Sequence, residues 1–233
     1  MTATTRTLDA DAAAAVPEQV QLEGESLQAV VTALVPRRLD VRQVLFRQGD
    51  DASSLYVVRE GRLKLTRTTT AGRTTILAVL GAGEVLGEMS LLDRQPRTAT
   101  ATALTPVTVL ELEQSRFDDL ITEHPPMTAL LLRHLGQRLR RSNDVVADLV
   151  FADVPARVAR LVLRLAEQTG VDDGAGNVLV EHCLSQEELA QLVGSARETV
   201  NKVLGSFASH GWLEVRRRAI VLKNPEPLRL LVP

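Results

Sequence analysis

The chain has 233 residues, long for one domain and short for three, and 45% of them are hydrophobic, which is ordinary for a protein with packed cores. A net charge of −2 and an isoelectric point near 6.1 exclude a global electrostatic footprint for nucleic acid, so any nucleic-acid face must be local. The single cysteine, Cys183, excludes an intramolecular disulfide framework and a four-cysteine iron–sulfur site; with no apolar run long enough to span a bilayer and no charged-then-apolar leader pattern, a cytoplasmic protein away from the membrane is expected.

Residues 1–25 are rich in Ala, Thr and acids and read as a mobile extension. Leu27, Val30, Val31 and Leu34 fall at helical spacing and predict a short amphipathic helix over 26–36. From Arg38 to Leu112 the period is two. Leu55–Val58 and Arg62–Thr66 flank Glu60-Gly61, which predicts a hairpin, and Gly72 marks the next turn. Thr75–Leu80 is apolar almost throughout and predicts a fully buried strand. Ala99–Ala103 and Val107–Leu112 continue the pattern. Short strands with turn signals at near-regular spacing indicate a barrel or a β-sandwich.

Within this region Gly87-Glu88-Met89-Ser90 and Arg97-Thr98 read as a cradle for a small anion. Glycines at 81, 83 and 87 permit tight turns and close approach of backbone to a ligand. Successive N–H groups there form an anion-binding concavity, Arg97 supplies a planar fork of donors, and Thr98 adds a hydroxyl. Glu88 repels phosphate but accepts hydrogen bonds from sugar hydroxyls. The set suits a ribose phosphate better than a free phosphate.

Helices return at Ser115. Pro125-Pro126 ends one and opens a longer one to about Phe151. Leu131, Leu135, Leu139, Ser142, Val146 and Leu149 are spaced 4, 4, 3, 4 and 3 apart, a coiled-coil stripe that a second copy of the chain would cover. Ser142 interrupts it. Either Ser142 fixes register, or Ser142 and Asn143 hydrogen-bond the edge of a nucleobase held against the helix. Asp153 caps a further helix with Pro155 in its first turn, marking a boundary and hinge. Gly170–Gly176 reads as a loop and Asn177–Val180 as a strand.

Ser185-Gln186-Glu187-Glu188 is a capping box and Ser195-Ala196-Arg197-Glu198 reads as a second one, on either side of Gly194. Two short helices about a glycine turn match a helix-turn-helix. Arg197, Glu198, Thr199, Asn201 and Lys202 fall on the second helix and, with Ser195 just before it, are the candidate DNA contacts; Arg suits guanine and Glu a cytosine amino group. Two strands with Arg216, Arg217 and Arg218 at their tip suit a phosphate-gripping wing. Residues 151–233 carry ten Lys/Arg and ten Asp/Glu, so the region is neutral and any DNA face rests on placement. No P-loop, H-E-x-x-H or nucleophile elbow is present, so no enzyme is expected, and His124, His134, His182 and His210 form no metal-ligand pattern.

The run G-E-x-S-L-x(4)-P-R-T-A resembles the phosphate-binding cassette of cyclic-nucleotide-binding domains. The run from Leu184 to Leu204 resembles the DNA-reading motif of the CRP/FNR superfamily, in particular its cyclic-AMP-receptor branch from actinobacteria. The resemblance extends from about residue 40 to 222. It implies an α+β chain with a mobile extension (1–25), a cyclic-nucleotide-binding β-roll or jelly-roll (26–123), a dimerisation helix (124–152) and a winged helix-turn-helix (153–233). It implies that Glu88 takes the ribose 2′-hydroxyl, that Arg97 and Thr98 take the cyclic phosphate, and that backbone at Gly87, Glu88 and Met89, with Ser90 beside them, completes the site. Ser142-Asn143 resembles an adenine-contacting pair, Asn143 reaching from the partner subunit. The implied effector is cyclic AMP, with cyclic GMP left open by Thr98. The implied partners are a second copy, double-stranded DNA with a TGTGA-like half-site read by Arg197, Glu198 and Lys202, and RNA polymerase, without metal or membrane. Two departures stand out: Ala196 replaces the family's Ser, with Ser195 one place earlier, and the wing tip has arginines where the family has glycine. A same-fold regulator that is independent of ligand or senses another effector is the alternative.

Overall fold

The computed structural model describes residues 29–30 and 32–232; the expected extension over 1–25 lies outside them. The chain forms two compact units that divide between Gln137 and Arg138, except that Thr75–Leu77 groups with the second. In the first, one sheet has the order β1 (Val35–Leu39), β8 (Val107–Glu113), β3 (Ser54–Glu60), β6 (Val85–Leu86). The other has the order β2 (Val44–Phe46), β7 (Thr100–Ala103), β4 (Leu63–Thr68), β5 (Thr74–Leu80). Helix α1 (Glu88–Asp93) lies between β6 and β7, and α2 (Gln114–Glu123) follows β8.

Period-two patterning explains why β3 is apolar on consecutive residues. Tyr56 and Val58 enter the core between the sheets, with Leu63, Leu65, Ala101 and Val109. Leu55 and Val57 face the opposite way, into a second core with Leu91, Leu112, Phe117 and Leu120. One strand therefore serves two apolar layers, and each buried Leu or Val contributes roughly 1.5–3 kcal/mol relative to exposure.

Three expectations are corrected here. The helix predicted over 26–36 has helical backbone at 29–30 and 32–33 but stops before Val35, because Val35 and Pro36 begin β1 and pair with Glu111 and Leu110. Glu60-Gly61 does not close a hairpin: β3 and β4 belong to different sheets, so the turn carries the chain across the sandwich. The run Thr75–Leu80 is not fully buried. It is the outer strand of its sheet, with Ile76 and Leu80 inside and Leu77 exposed.

Helix α3 (Pro125–Phe151) runs through the division between the units and buries none of its side chains. In the second unit, α4 (Val154–Thr169) packs through Val158, Leu161, Val162 and Leu165. It is followed by β9 (Gly170–Asp172) and β10 (Val178–Glu181), then α5 (Gln186–Val193) and α6 (Arg197–Ser209), β11 (Leu213–Arg216), β12 (Ala219–Leu222) and α7 (Glu226–Leu231). The sheet order is β11-β12-β10-β9. The stretch read as a loop from Gly170 thus starts as strand, paired from Gly170 to Val180. Asp153 accepts a hydrogen bond from the Ala156 N–H at 2.9 Å, the cap that the sequence predicted.

Gly61 adopts φ +82°, and a Cβ there would lie 2.1 Å from the Pro106 carbonyl oxygen. Gly61→Ala should lower stability by at least about 1–3 kcal/mol, through backbone strain and displacement of the neighbouring turn. A urea-unfolding midpoint unchanged from wild type would contradict this packing.

Candidate functional site

The cradle is a strand-to-helix turn. Gly87, at φ +85°, lets the chain leave β6 and enter α1 at once. A Cβ at this position would lie 2.4 Å from Nη1 of Arg97, so space as well as conformation excludes a side chain. Glu88 opens α1 fully buried. Ser90 is buried too, and its hydroxyl donates to the Pro96 carbonyl at 3.3 Å, tying α1 to the returning loop. Met89 and Thr98 are exposed.

Arg97 is only 4% exposed. Its backbone is pinned on both sides: its N–H donates to Asp50 O and its carbonyl accepts from Gly49 N–H, each at 2.8 Å. Nη1 donates to Gly87 O at 2.9 Å and Nη2 to Ser54 O at 2.5 Å. The guanidinium carbon lies 4.4 Å from the centre of the Phe46 ring and 5.7 Å from that of Tyr56, and the two rings stack 5.9 Å apart. The Tyr56 hydroxyl donates to Glu111 at 3.1 Å, and burial followed by the Glu111 charge holds that phenol above its ordinary pKa. Burial pulls the Arg97 pKa below its ordinary value, opposed by negative charge at Glu88, Asp50 and Glu111 among others.

Nε of Arg97 is buried and has no hydrogen-bond partner among the described residues. A buried cation with an unused donor, beside a position that only glycine fits, suits a small anion. These residues therefore fit a phosphate ester, and Glu88 is the buried carboxylate that opens the same turn. Gly87, Glu88, Met89, Ser90, Arg97 and Thr98 thus share one turn, although the Ser90 hydroxyl is engaged by Pro96. The ring pair of Phe46 and Tyr56 and the carbonyl of Ser54 were not foreseen, since their residues read as ordinary strand core.

Ser142 and Asn143 are exposed on α3 in the second unit, where the Ser142 hydroxyl donates back to the Arg138 carbonyl at 3.0 Å. The apolar stripe needs a correction at its start: Leu131 packs against the core of the first unit. The open seam instead runs through Leu132, Leu139 and Val146, which are 64%, 63% and 60% exposed, with Leu135, Ser142 and Leu149 three places after each.

The reading head is held by named contacts. Ser185 Oγ accepts from Glu188 N–H at 3.2 Å, and Ser185 N–H donates to the Glu188 carboxylate at 2.7 Å, completing the first capping box. Gly194 ends α5 at φ +68°, where a Cβ would lie 2.9 Å from Leu149 of α3. The second capping box does not form. Ser195 is held in the turn by its N–H to Ala190 O, so the cap falls on Ala196, which has no side chain to offer, and α6 starts at Arg197. Val200, Leu204 and Phe207 bury one face of α6, leaving Arg197, Glu198, Thr199, Asn201 and Lys202 exposed.

In the wing, Arg216 pairs with Ala219, so Arg217 and Arg218 form the two-residue turn, Arg218 at φ +59°. Arg216 is engaged at 2.8 Å by Glu214, which also holds Lys223 at 3.3 Å. The tip open to a phosphate is therefore Arg217 and Arg218. Behind the head, Arg157 donates from Nε to Val193 O at 3.0 Å and from Nη1 to Ala152 O at 2.7 Å, joining the end of α5 to the hinge. Arg160 and Asp148 pair across the same hinge at 2.7 Å. Nothing in the sequence pattern marked Arg157.

A sandwich domain bearing a cradle, a long open-seamed helix and a winged helix-turn-helix define a two-domain DNA-binding regulator. The cyclic nucleotide-binding domain family matches residues 36–124, and the Crp-like helix-turn-helix domain family matches residues 156–231. The chain is 37% identical over 207 residues to a CRP-like cAMP-activated global transcriptional regulator of Mycobacterium tuberculosis H37Rv, covering 89% of this chain and 92% of that one. This protein belongs to the CRP/FNR family of transcription regulators. Among solved structures, FixK2 of Bradyrhizobium japonicum shares the fold at a TM-score of 0.77 and 21% identity, covering 86% of this chain and 98% of that one. The c-di-GMP-responsive global regulator CLP of Xanthomonas campestris matches at a TM-score of 0.68 and 26% identity, covering 86% and 99%.

Removing the guanidinium in Arg157→Ala strands the Val193 and Ala152 carbonyls. It should destabilise the protein by about 1–3 kcal/mol in chemical denaturation. A change below about 0.5 kcal/mol would mean that water replaces both bonds without loss.

Proposed function

We propose that this protein is a homodimeric transcription regulator switched by cyclic AMP and acting on a near-palindromic, TGTGA-like DNA site. The observation that carries the effector assignment is the buried Arg97 with its unused Nε–H beside Gly87. Arg97 and Thr98 would hold the cyclic phosphate and Glu88 the ribose 2′-hydroxyl. Ser142 would address the base, with Asn143 reaching in from the partner copy. The exposed seam of α3 supports pairing with that second copy, since apolar residues repeating every seven places are stabilised when covered.

In this reading the working divisions are 26–123 for the nucleotide, 124–152 for pairing and 153–233 for DNA. An effector touching both cradle and helix shifts their arrangement only through contacts that differ between states. The contacts of Arg157, Asp148 and Leu149 would carry that shift to the helix-turn-helix. Two copies of α6 about 34 Å apart would enter successive major grooves, Arg197, Glu198 and Lys202 reading base edges and Arg217 and Arg218 gripping phosphate. The setting is cytoplasmic, and RNA polymerase is the downstream partner. A second reading, a different nucleotide effector in the same cradle, is favoured by the similarity to CLP.

Calorimetric titration with cyclic AMP, cyclic GMP and c-di-GMP tests the effector. Cyclic AMP should bind the wild type, and Arg97→Ala should lose that binding. Binding of c-di-GMP alone would transfer the assignment to the second reading. For DNA, Arg197→Ala should cost roughly 1–3 kcal/mol and relax preference at one base pair of each half-site. Arg217→Ala should instead weaken all sequences alike and reduce the salt slope by about one. An unaltered base preference in the first variant, or an unaltered salt slope in the second, contradicts these roles.

A further inference from the structure

We propose that Phe46 is a positioning residue for the effector phosphate, holding the Arg97 guanidinium by a cation–π contact that presents its remaining donors to the ligand. The inference rests on the reading of the cradle as a nucleotide site. It extends that site to a strand distant in sequence from the cassette.

The argument begins with a register fault. Val44 pairs with Thr102, and regular alternation would place Phe46 opposite Thr100. Phe46 instead pairs with Ala101, so Leu45 is an extra residue in β2. Such a bulge re-aims side chains. Leu45 is buried in the core between the sheets, and its neighbour Phe46 packs against the same core rather than pointing away. The ring face reached in this way lies 4.4 Å from the guanidinium carbon.

That face supplies what burial removes. A guanidinium has five N–H donors, and two of these go to the carbonyls of Gly87 and Ser54. Neither carbonyl carries a full charge. With Arg97 nearly inaccessible to water, the negative face of the Phe46 ring supports the cation on one side, and Tyr56 extends the aromatic wall. Nε remains as the buried donor without a partner among the described residues. Because wall and carbonyls fix the fork before the ligand arrives, little side-chain freedom is lost on binding. A lysine offers no planar group to lie on the ring, so the arrangement is particular to arginine.

The test replaces Phe46 in the full-length protein with mono-, di- and trifluorinated phenylalanine, which drain the ring face while nearly preserving its shape. Cyclic AMP affinity is measured by calorimetry beside wild type, Phe46→Tyr and Arg97→Ala, with thermal midpoints as the folding control. Affinity should fall stepwise with fluorination, by about two- to thirtyfold in total, while the midpoint stays near that of wild type and Phe46→Tyr binds normally. A flat series, or one that binds more tightly, overturns the inference when Arg97→Ala has lost binding; the ring is then only core, or holds Arg97 away from the ligand. If c-di-GMP alone binds, the same series is read with that ligand; if the wild type binds none of cyclic AMP, cyclic GMP and c-di-GMP, the reading of the cradle falls and this inference with it.

Discussion

The first unit is organised around keeping a charged guanidinium out of water. Taking such a group from solvent costs several kcal/mol even after relaxation, unless the surroundings replace what water gave. Around Arg97 the replacement is piecemeal. Two carbonyls accept from Nη1 and Nη2, a ring face lies under the plane, and backbone bonds to Gly49 and Asp50 fix its root. Gly87 suits glycine because its backbone is left-handed, and a side chain there would also displace the Arg97 guanidinium. The arrangement leaves the buried Nε without a partner among the described residues, and an unused buried donor on a cation is a standing preference for an anion.

The second unit answers a different requirement, that of aiming an exposed helix. Side chains that meet a large polar ligand must stay hydrated until it arrives, so nothing on their own face can fix them. The orientation of α6 is fixed from behind, by Val200, Leu204 and Phe207 and by the turn at Gly194. Arg157 extends that support to the hinge. The wing shows the same economy: Glu214 restrains Arg216 and Lys223 at the base, while Arg217 and Arg218 stand at the turn.

Much of this was legible in the sequence because the signals were local. The capping box at Ser185, the left-handed glycine at 194, the Asp153 cap and the limits of α3 depend on neighbours a few residues away, and they stand where expected. The residues expected to form the cradle likewise lie in one contiguous run and share one turn. What escaped depended on partners distant in the chain. Glu60-Gly61 has the chemistry of a hairpin turn, but only sheet pairing reveals that its strands part company. Phe46 and Ser54 meet Arg97 across some 40 to 50 positions. Leu131 obeys the stripe perfectly in spacing and still turns to the core beside it, because Met127 and Ile121 pack there as well. At Ser195 two local signals competed, and the backbone turn prevailed over the cap.

Helix α3 has a consequence beyond its place in the chain. Its 27 residues make a rod about 40 Å long, and not one of its side chains is buried within the chain. Isolated helices draw little stability from their own hydrogen bonds and propensities, and most of what a helix has in a protein comes from its covered face. In α3, Met127 and Leu131 take their cover from the first unit; in the proposed dimer the exposed seam would take its cover from the second copy. Its persistence would then obey mass action: the rod would stiffen as copies become abundant and loosen as they become scarce. On that proposal, the amount of protein in the cell would be written into the mechanical state of the element that joins the two units.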